Sequence, residues 1–231
     1  MIGEAEILEL NLVGAIRLKN LLQNAELERL AALMDTLSGE RPGERISDLT
    51  SLRWLLENGA PGRIAGQLLG ARARPVRALL FDKSATNNWA LGWHQDRTIA
   101  VRERRSVEGF DTWTVKKGVP HVEPPFEFIE RMLTLRLHLD EVDGQNAPLS
   151  IARESHRKGK LTTGQIEAVV ANCGKLDCLA QRGDVWVYRT SIVHSSKRSS
   201  GDRRRRVLQV DYSGDELPGG LDWLVGVSRR S

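Results

Sequence analysis

Cysteine is nearly absent. The 231 residues hold two, Cys173 and Cys178, too few to staple a chain this long and wrongly spaced for a zinc pair. A disulfide-framed secreted scaffold is therefore excluded and a reducing compartment expected. Long apolar runs are also lacking: none nears the roughly 20 residues that span a bilayer. The opening Met1-Ile2-Gly3-Glu4-Ala5-Glu6 carries acids where a secretory leader would carry bases. Excess charge of one sign is missing too. The 34 bases and 30 acids leave a formal +4, too little to name a nucleic acid as partner. The basic cluster at 102–105 lacks the interleaved aromatics of a stacking platform. What is present is the mixture of a globular chain, 40% hydrophobic and 28% charged. The expectation is a cytoplasmic protein with neither membrane nor nucleic acid as partner.

No repeat, low-complexity tract or clear linker divides the chain, so one domain over 1–231 is expected, with residues 1–72 mostly helical and 75–213 a β-rich core. Leu27, Leu30, Met34 and Leu37 fall at helical spacing behind Asn24, a suitable N-cap. Ser47 or Asp48 is placed to cap a second helix bearing Leu52, Leu55 and Leu56, and Pro61 opens a third that ends near Gly70. The alternation at 7–12 reads as a strand. Beyond Pro75 come short β-rich runs at 76–81, 132–139, 185–188 and 207–212, the texture of an antiparallel sandwich or barrel. In the second run Leu133, Leu135, Leu137 and Leu139 share one face and Thr134, Arg136, His138 and Asp140 the other. The leucine face needs a hydrophobic partner; the polar face meets water or an active-site cavity. Residues 97–127, rich in Arg, Gly and Pro, read as a long irregular loop, a lid by its length.

Of the five histidines, His94 has the most suggestive neighbour. In a strand, His94 and Asp96 project from one face and offer an imidazole nitrogen and a carboxylate oxygen to one point. A distant third ligand, for which His194 is a good candidate, would complete the two-His-one-carboxylate set of non-haem Fe(II) oxygenases. Gln95, between the two, should point the other way.

The stretch Phe81-Asp82-Lys83, Asn88-Trp89, Trp93-His94-Gln95-Asp96-Arg97 resembles the metal-binding strand of the phytanoyl-CoA dioxygenase (PhyH-like) family. Asn146-Ala147-Pro148-Leu149 with Ser155-His156-Arg157-Lys158-Gly159 resembles that family's NGPL…PGSHRxG segment. Gly183-Asp184-Val185-Trp186, His194-Ser195-Ser196 and Arg205-Arg206-Val207-Leu208 resemble its GD…HxS…R block. The resemblance spans about 75–213. It implies a double-stranded β-helix (jelly-roll) core with flanking helices. It also implies an Fe(II)- and 2-oxoglutarate-dependent dioxygenase that uses O2 to hydroxylate a small molecule, with 2-oxoglutarate decarboxylated to succinate.

By that resemblance His94, Asp96 and His194 hold Fe(2+), and an arginine eleven residues beyond the second histidine grips the far carboxylate of 2-oxoglutarate, which leads to Arg205, with Ser196 assisting. The neighbouring arginines 203, 204 and 206 leave the assignment open by a place or two. Lys83 and Thr134 are candidates to touch the cosubstrate. Arg136 and His138 either do the same or are exposed. His121 and Arg97 are candidates for substrate contact, His121 equally an ordinary loop histidine. Retention of Asp96 favours hydroxylation over the halogenation of relatives that carry a small residue there. Arg153-Glu154 stands where the family has Pro-Gly, and altered loop geometry is expected at that turn. Lys116, Lys117 and Arg102 point faintly to a polar or anionic substrate. Alternatives are a jelly-roll binding protein without turnover, and a cupin-type metalloenzyme for which Arg205 is dispensable.

Overall fold

The structure, a computed structural model, describes residues 1–37, 43–84, 87–201 and 203–225. In chain order the elements are α1 (Glu4–Val13), β1 (Ala15–Leu18), α2 (Asn24–Leu37), β2 (Gly43–Ile46), a 3-10 turn running into α3 (Arg53–Leu56), and α4 (Ala60–Leu69). There follow β3 (Arg74–Lys83), β4 (Leu91–His94), β5 (Ile99–Ala100), β6 (Asp111–Lys116), β7 (Val119–Glu123), α5 (Phe126–Glu130), β8 (Leu133–His138) and β9 (Leu149–Ala152). The last are α6 (Thr163–Cys173), β10 (Lys175–Cys178), β11 (Val185–Arg189), β12 (His194–Ser196) and β13 (Arg205–Ser213).

A six-stranded sheet, ordered β1-β11-β8-β13-β3-β2, faces a four-stranded one, β10-β9-β12-β4, with every pairing antiparallel. This is the jelly-roll arrangement expected from the sequence. Period-two alternation explains how the large sheet serves two environments. Leu133, Leu135 and Leu137 of β8, with Leu208 and Val210 of β13, pack on Leu27, Leu30 and Met34 of α2 and on Leu55 and Leu56 of α3. From the opposite face Trp186 and Tyr188 of β11 meet Leu149 and Ile151 of β9. The polar residues of β8 point inward: Thr134, Arg136 and His138 are all buried. The helices behind the large sheet follow the spacing read from sequence, α4 stopping at Gly70. No helix among the described residues is long and apolar enough to cross a membrane.

Two expectations are overturned. Residues 7–12 lie in α1, not in a strand. Glu6 accepts the Gly3 N–H at 2.6 Å, and Gly14 ends the helix in the left-handed region, φ 90°, donating to Leu10 O. Such local caps outweigh a pattern that only mimics period two. The strand starts after that glycine, at Ala15. Residues 97–127 are likewise no irregular loop: β5, β7 and β6 form a third sheet, joined through Lys117 (φ 54°) and Gly118 (φ 78°). Two consecutive positive φ values are the signature of the tight I′ hairpin turn. Ile99, Phe110, Val122, Ile129 and Trp223 give this layer a core of its own.

The helical reading of α1 is testable on three leucines that a strand would place together. Leu10 is fully buried, whereas Leu8 and Leu12 are 59% and 50% exposed. Leu10→Ala is expected to lower unfolding free energy by about 2–5 kcal/mol, and Leu8→Ala by no more than about 0.5 kcal/mol, as read by urea denaturation. Equal losses at the two positions would refute the helix.

Candidate active site

β4 and β12 pair so that His94 sits directly opposite His194, the ring centroids 4.2 Å apart. In each ring Nδ1 lies against the carbonyl two residues earlier, at 2.8 Å for His94 on Gly92 and 3.0 Å for His194 on Ile192. A carbonyl only accepts, so each Nδ1 carries the proton and each Nε2 presents a lone pair. Asp96 lies two residues past the end of β4 and turns its carboxylate to the same place. One ligand atom from each of the three lies within 4.8 Å of the others. Two neutral imidazoles and one carboxylate are the donor set that suits ferrous iron.

The electrostatics favour a neutral His194 and an ionised Asp96. Burial, reinforced by His94, pushes His194 down to about 4, so it is neutral at physiological pH. Burial opposes the charge on Asp96, but the Arg77 guanidinium, by charge and by hydrogen bond, outweighs it and holds the carboxyl below the usual range. Arg77 is the hub. Its Nη2 donates to Asp96 Oδ2 at 3.0 Å and its Nε to Asp211 Oδ2 at 2.5 Å. Asp211 Oδ1 in turn accepts from Thr134 Oγ1 at 2.9 Å, so one Asp96 oxygen is fixed and the other left free.

The three residues open on a cavity of about 280 Å³, lined further by Arg45, Leu79, Phe81, Trp89, Leu91, Lys116, Arg136, Leu149, Ser196, Arg205 and Gln209. A wider groove of about 650 Å³ around Asp48, Arg53, Glu57 and Arg102 involves none of the three. Within the 203–206 run the structure separates the arginines. Arg203 pairs with Glu141 and Asp143, Arg204 with Asp35 and Asp82, and Arg206 with Asp35 and Asp140. Arg205 is buried, donates Nη1 to the Ala147 carbonyl, and has an unpartnered Nε. Arg136 beside it donates Nη1 to Gln209 Oε1 at 2.7 Å, also with Nε unpartnered. Among the described residues neither guanidinium pairs with a carboxylate. Burial, with Arg136 alongside, pulls Arg205 down to about 9, which still leaves it charged near neutrality. Two desolvated cations with open donors make a receptor for an anion.

Comparison with known proteins finds no matching family model and no matching curated protein. Solved structures do match. SnoK, a non-heme alpha ketoglutarate dependent carbocyclase from nogalamycin biosynthesis, superposes with TM-score 0.70 at 15% identity over 96% of each chain. HygX from Streptomyces hygroscopicus, with nickel, 2-oxoglutarate and hygromycin B bound, gives TM-score 0.64 at 14% identity over 92% of this chain and 87% of that one. AviO1 from Streptomyces viridochromogenes Tue57 gives 0.66 at 18% over 93% and 95%. At such identities the likeness establishes the fold.

Other residues singled out in the sequence fall in several places. Ser196 lines the cavity. The Lys83 ammonium is buried behind it, donating to Trp89 O at 2.8 Å, Lys197 O at 2.7 Å and Ser196 Oγ at 3.2 Å; it braces the wall. Thr134 does not line the cavity, its hydroxyl being held by Asp211 and Thr190. Arg97 donates to the Leu161 carbonyl instead of pointing into the cavity. His121 is fully buried in β7, with Nδ1 on Val119 O and Nε2 unpartnered. His138 is buried with both ring nitrogens unpartnered, so neither it nor Arg136 is exposed. Gln95 points away from His94 and Asp96, its Nε2 on the Ser191 and Gly159 carbonyls. Lys116 lines the mouth, Lys117 is paired with Glu44, and Arg102 lies in the separate groove. At the Arg153-Glu154 departure the left-handed residue persists, Glu154 taking φ 60° where glycine would sit without strain.

Arg77, Asp211, Arg45 and Gln209 went unremarked in the sequence. A charge inside an otherwise apolar strand, as at Arg77 and Asp211, was the available signal, because such a charge is buried only with a partner. Arg77→Met strands Asp211 and is expected to cost about 3–5 kcal/mol of stability by urea unfolding. Adding Asp211→Asn should recover part of that loss; no recovery would mean the pair is not the source.

Proposed function

We propose that this chain is an Fe(II)- and 2-oxoglutarate-dependent oxygenase that hydroxylates a small organic substrate with O2, as the phytanoyl-CoA dioxygenase motifs imply. One observation carries the reading: the His94, Asp96 and His194 ligand atoms converge on the wall of a cavity that also holds two buried guanidiniums without a carboxylate. A metal-only site has no use for the second feature, and an anion-binding protein has none for the first. The residues fit the missing groups. Both Nε2 lone pairs are free, one Asp96 oxygen is free, and the Nε of both Arg136 and Arg205 lacks an acceptor. HygX has been solved with iron and with nickel and 2-oxoglutarate, which supports the same loading on this fold.

Ferrous iron and 2-oxoglutarate, when bound, supply the activation of O2, coupled to decarboxylation to succinate. The chain supplies the rest. His94, Asp96 and His194 would hold the metal, each through one ligand atom. Arg77 fixes the Asp96 carboxylate so that it does not swing away. Arg205 takes the distal carboxylate, with Arg136, Gln209 and Ser196 around it. Leu79, Phe81 and Trp89 line the cavity with apolar surface that would limit water at the reacting carbon. The layer of β5, β6 and β7 closes one side, Lys117 Nζ pinning its turn to Gly43 O at 3.0 Å and Glu44 Oε2 at 2.9 Å. Hydroxylation is favoured over halogenation by the presence of Asp96. Some neighbours on this fold are named for carbocyclisation and epimerisation, so product analysis bears on the outcome separately from cosubstrate use.

Anaerobic addition of iron and 2-oxoglutarate should produce a weak visible charge-transfer band. Arg205→Ala should weaken 2-oxoglutarate binding by about thirtyfold or more, the lower bound for stripping one partner from a buried charge pair, while iron affinity is spared. A protein that gives no band is a binder or a cupin-type metalloenzyme. Unchanged 2-oxoglutarate affinity in the variant would remove Arg205 from its role.

The pH dependence follows from Lys83. Burial first, then Arg205 and Arg136, push its ammonium down to about 7. A dianion in the cavity reverses those repulsions, raises the pKa and draws in a proton. Calorimetry in buffers of different ionisation enthalpy should show proton uptake with 2-oxoglutarate at pH 8 and little at pH 6, where the amine is already charged. Affinity should fall as pH rises through 7. Proton release at pH 8 would contradict this.

A further inference from the structure

Five cations line the cavity and Lys83 lies behind its wall, and together they form two groups. Arg205, Arg136 and Lys83 repel one another at one end. Arg45, Lys116 and Arg77 repel one another at the other, where Asp96 is their shared acid. The sheet separates the two groups sideways. Arg45 of the edge strand β2 lies opposite Leu79 of β3, Leu79 opposite Gln209 of β13, and Gln209 opposite Arg136 of β8, three strand spacings or roughly 14 Å. Arg205 lies opposite Lys83, four residues further along β3 than Leu79.

The first group is accounted for by the proposed cosubstrate. The second is not. Arg77 is fully used by Asp96 and Asp211, but Arg45 has a buried Nε without a partner. Among the described residues Arg45 makes no ion pair. Its neighbour Glu44 is turned away to Lys117. That same ion pair docks the β6–β7 turn on β2 and so sets Lys116, at the end of β6, beside Arg45 at the cavity mouth. The charge balance points the same way. Five cationic side chains line the cavity and Asp96 is the single acidic one. A divalent metal and a dianionic cosubstrate cancel each other, so loading the site leaves the surplus where it was. A cationic substrate would enter against it, and an anionic one would be drawn in.

We propose that the substrate is a small organic anion whose carboxylate, sulfate or phosphate group docks on Arg45 and Lys116, with its apolar part over Leu79 and Leu91 toward Asp96. Arg45 offers the planar donor pair that such groups accept, and Lys116 adds a point charge from the roof. The substrate assignment rests on the oxygenase reading; anion binding at Arg45 does not.

The test uses two readouts on the full chain. The charge-transfer band with iron and 2-oxoglutarate reports the oxygenase reading. The Nε–Hε resonance of Arg45, followed by NMR with nickel-free and iron-free protein held in saturating 2-oxoglutarate, reports the anion site. The probes are benzoate, phenyl sulfate and phenyl phosphate against benzamide and phenol. Arg45 should shift with at least one anion and with neither neutral partner. Arg45→Gln should weaken that anion tenfold or more, and Lys116→Gln, on an exposed strand where folding is not at stake, severalfold. Both variants should keep their affinity for 2-oxoglutarate, in contrast to Arg205→Ala. A band with no preference for any anion overturns the substrate class and leaves the oxygenase. Anion binding at Arg45 without a band overturns the oxygenase and keeps the site. Loss of 2-oxoglutarate binding in Arg45→Gln would reassign Arg45 to the cosubstrate and overturn the proposal.

Discussion

The pairing of β12 with β4 brings together residues a hundred positions apart in the chain, and the chemistry proposed for this protein depends on its register. His194 faces His94, yet two residues further along β12, Ser196 faces Leu91, so one extra residue is accommodated on β4. A bulge of this kind tightens the local twist and re-aims side chains. Here it accompanies the Gly92 carbonyl, which accepts the hydrogen bond from His94 Nδ1. A slip of one residue would turn either imidazole to the opposite face of the sheet. The second fixed point is Arg77, which binds Asp96 to Asp211 across β3 and β13 and so ties the ligand carboxylate to the large sheet. The three donor atoms thus come from the small sheet and the loop after it, and their alignment is enforced from the large one.

That division explains how the chain tolerates so many buried cations. Arg77, Arg136, Lys83 and Arg205 are each at most 8% exposed, and desolvating such groups opposes folding. Their strands are also the ones whose opposite faces carry Leu80, Leu135, Leu137 and Leu208 into the helical core. The same β-strands that carry the unfavourable charge therefore carry much of the favourable apolar burial, roughly 1.5–3 kcal/mol for each large side chain. Charge repulsion is concentrated where a ligand can relieve it, so an anion that binds the folded state should stabilise it by mass action.

Much of the architecture was legible because period and punctuation agreed. The leucine face of β8, the spacing of α2, and the Pro61 and Gly70 limits of α4 each had a single physical reading. The candidate metal-binding cluster was legible for a different reason: His-x-Asp places two donors within three residues, and His194, already a candidate beyond the 185–188 run, was also the position to which the family resemblance pointed. The misreadings have equally specific causes. In α1, alternating leucines imitated a strand, while the capping by Glu6 and Gly14 that decided the matter depends on main-chain geometry. At 97–127 the Lys117-Gly118 turn was the legible sign of a hairpin, and the Arg and Gly content obscured it. Lys83 and Thr134 were expected to touch a cosubstrate, but neither lines the cavity and both are bonded to neighbours, because proximity in a strand does not say whether a polar group is open to a ligand.

The arginine run at 203–206 shows where sequence reading stops and structure takes over. Alternation alone leaves 203 and 205 on one face, and a count along the chain selects 205. What distinguishes them chemically is the set of carboxylates each can reach. Arg203, Arg204 and Arg206 pair with acids, whereas Arg205 faces Lys83 across the pairing with β3, donates to a main-chain carbonyl, lies beside a second guanidinium, and among the described residues meets no carboxylate. An arginine that folding leaves without its anion is a stronger indication of function than one that folding satisfies, because the protein bears the desolvation without the compensating pair. The same criterion, applied around the cavity, passes over Arg77 and Lys117, which have their acids, and selects Arg45 and Arg136. The pattern of unsatisfied cations thus outlines two anionic groups, one at each end of a space whose middle is lined by Leu79 and Phe81.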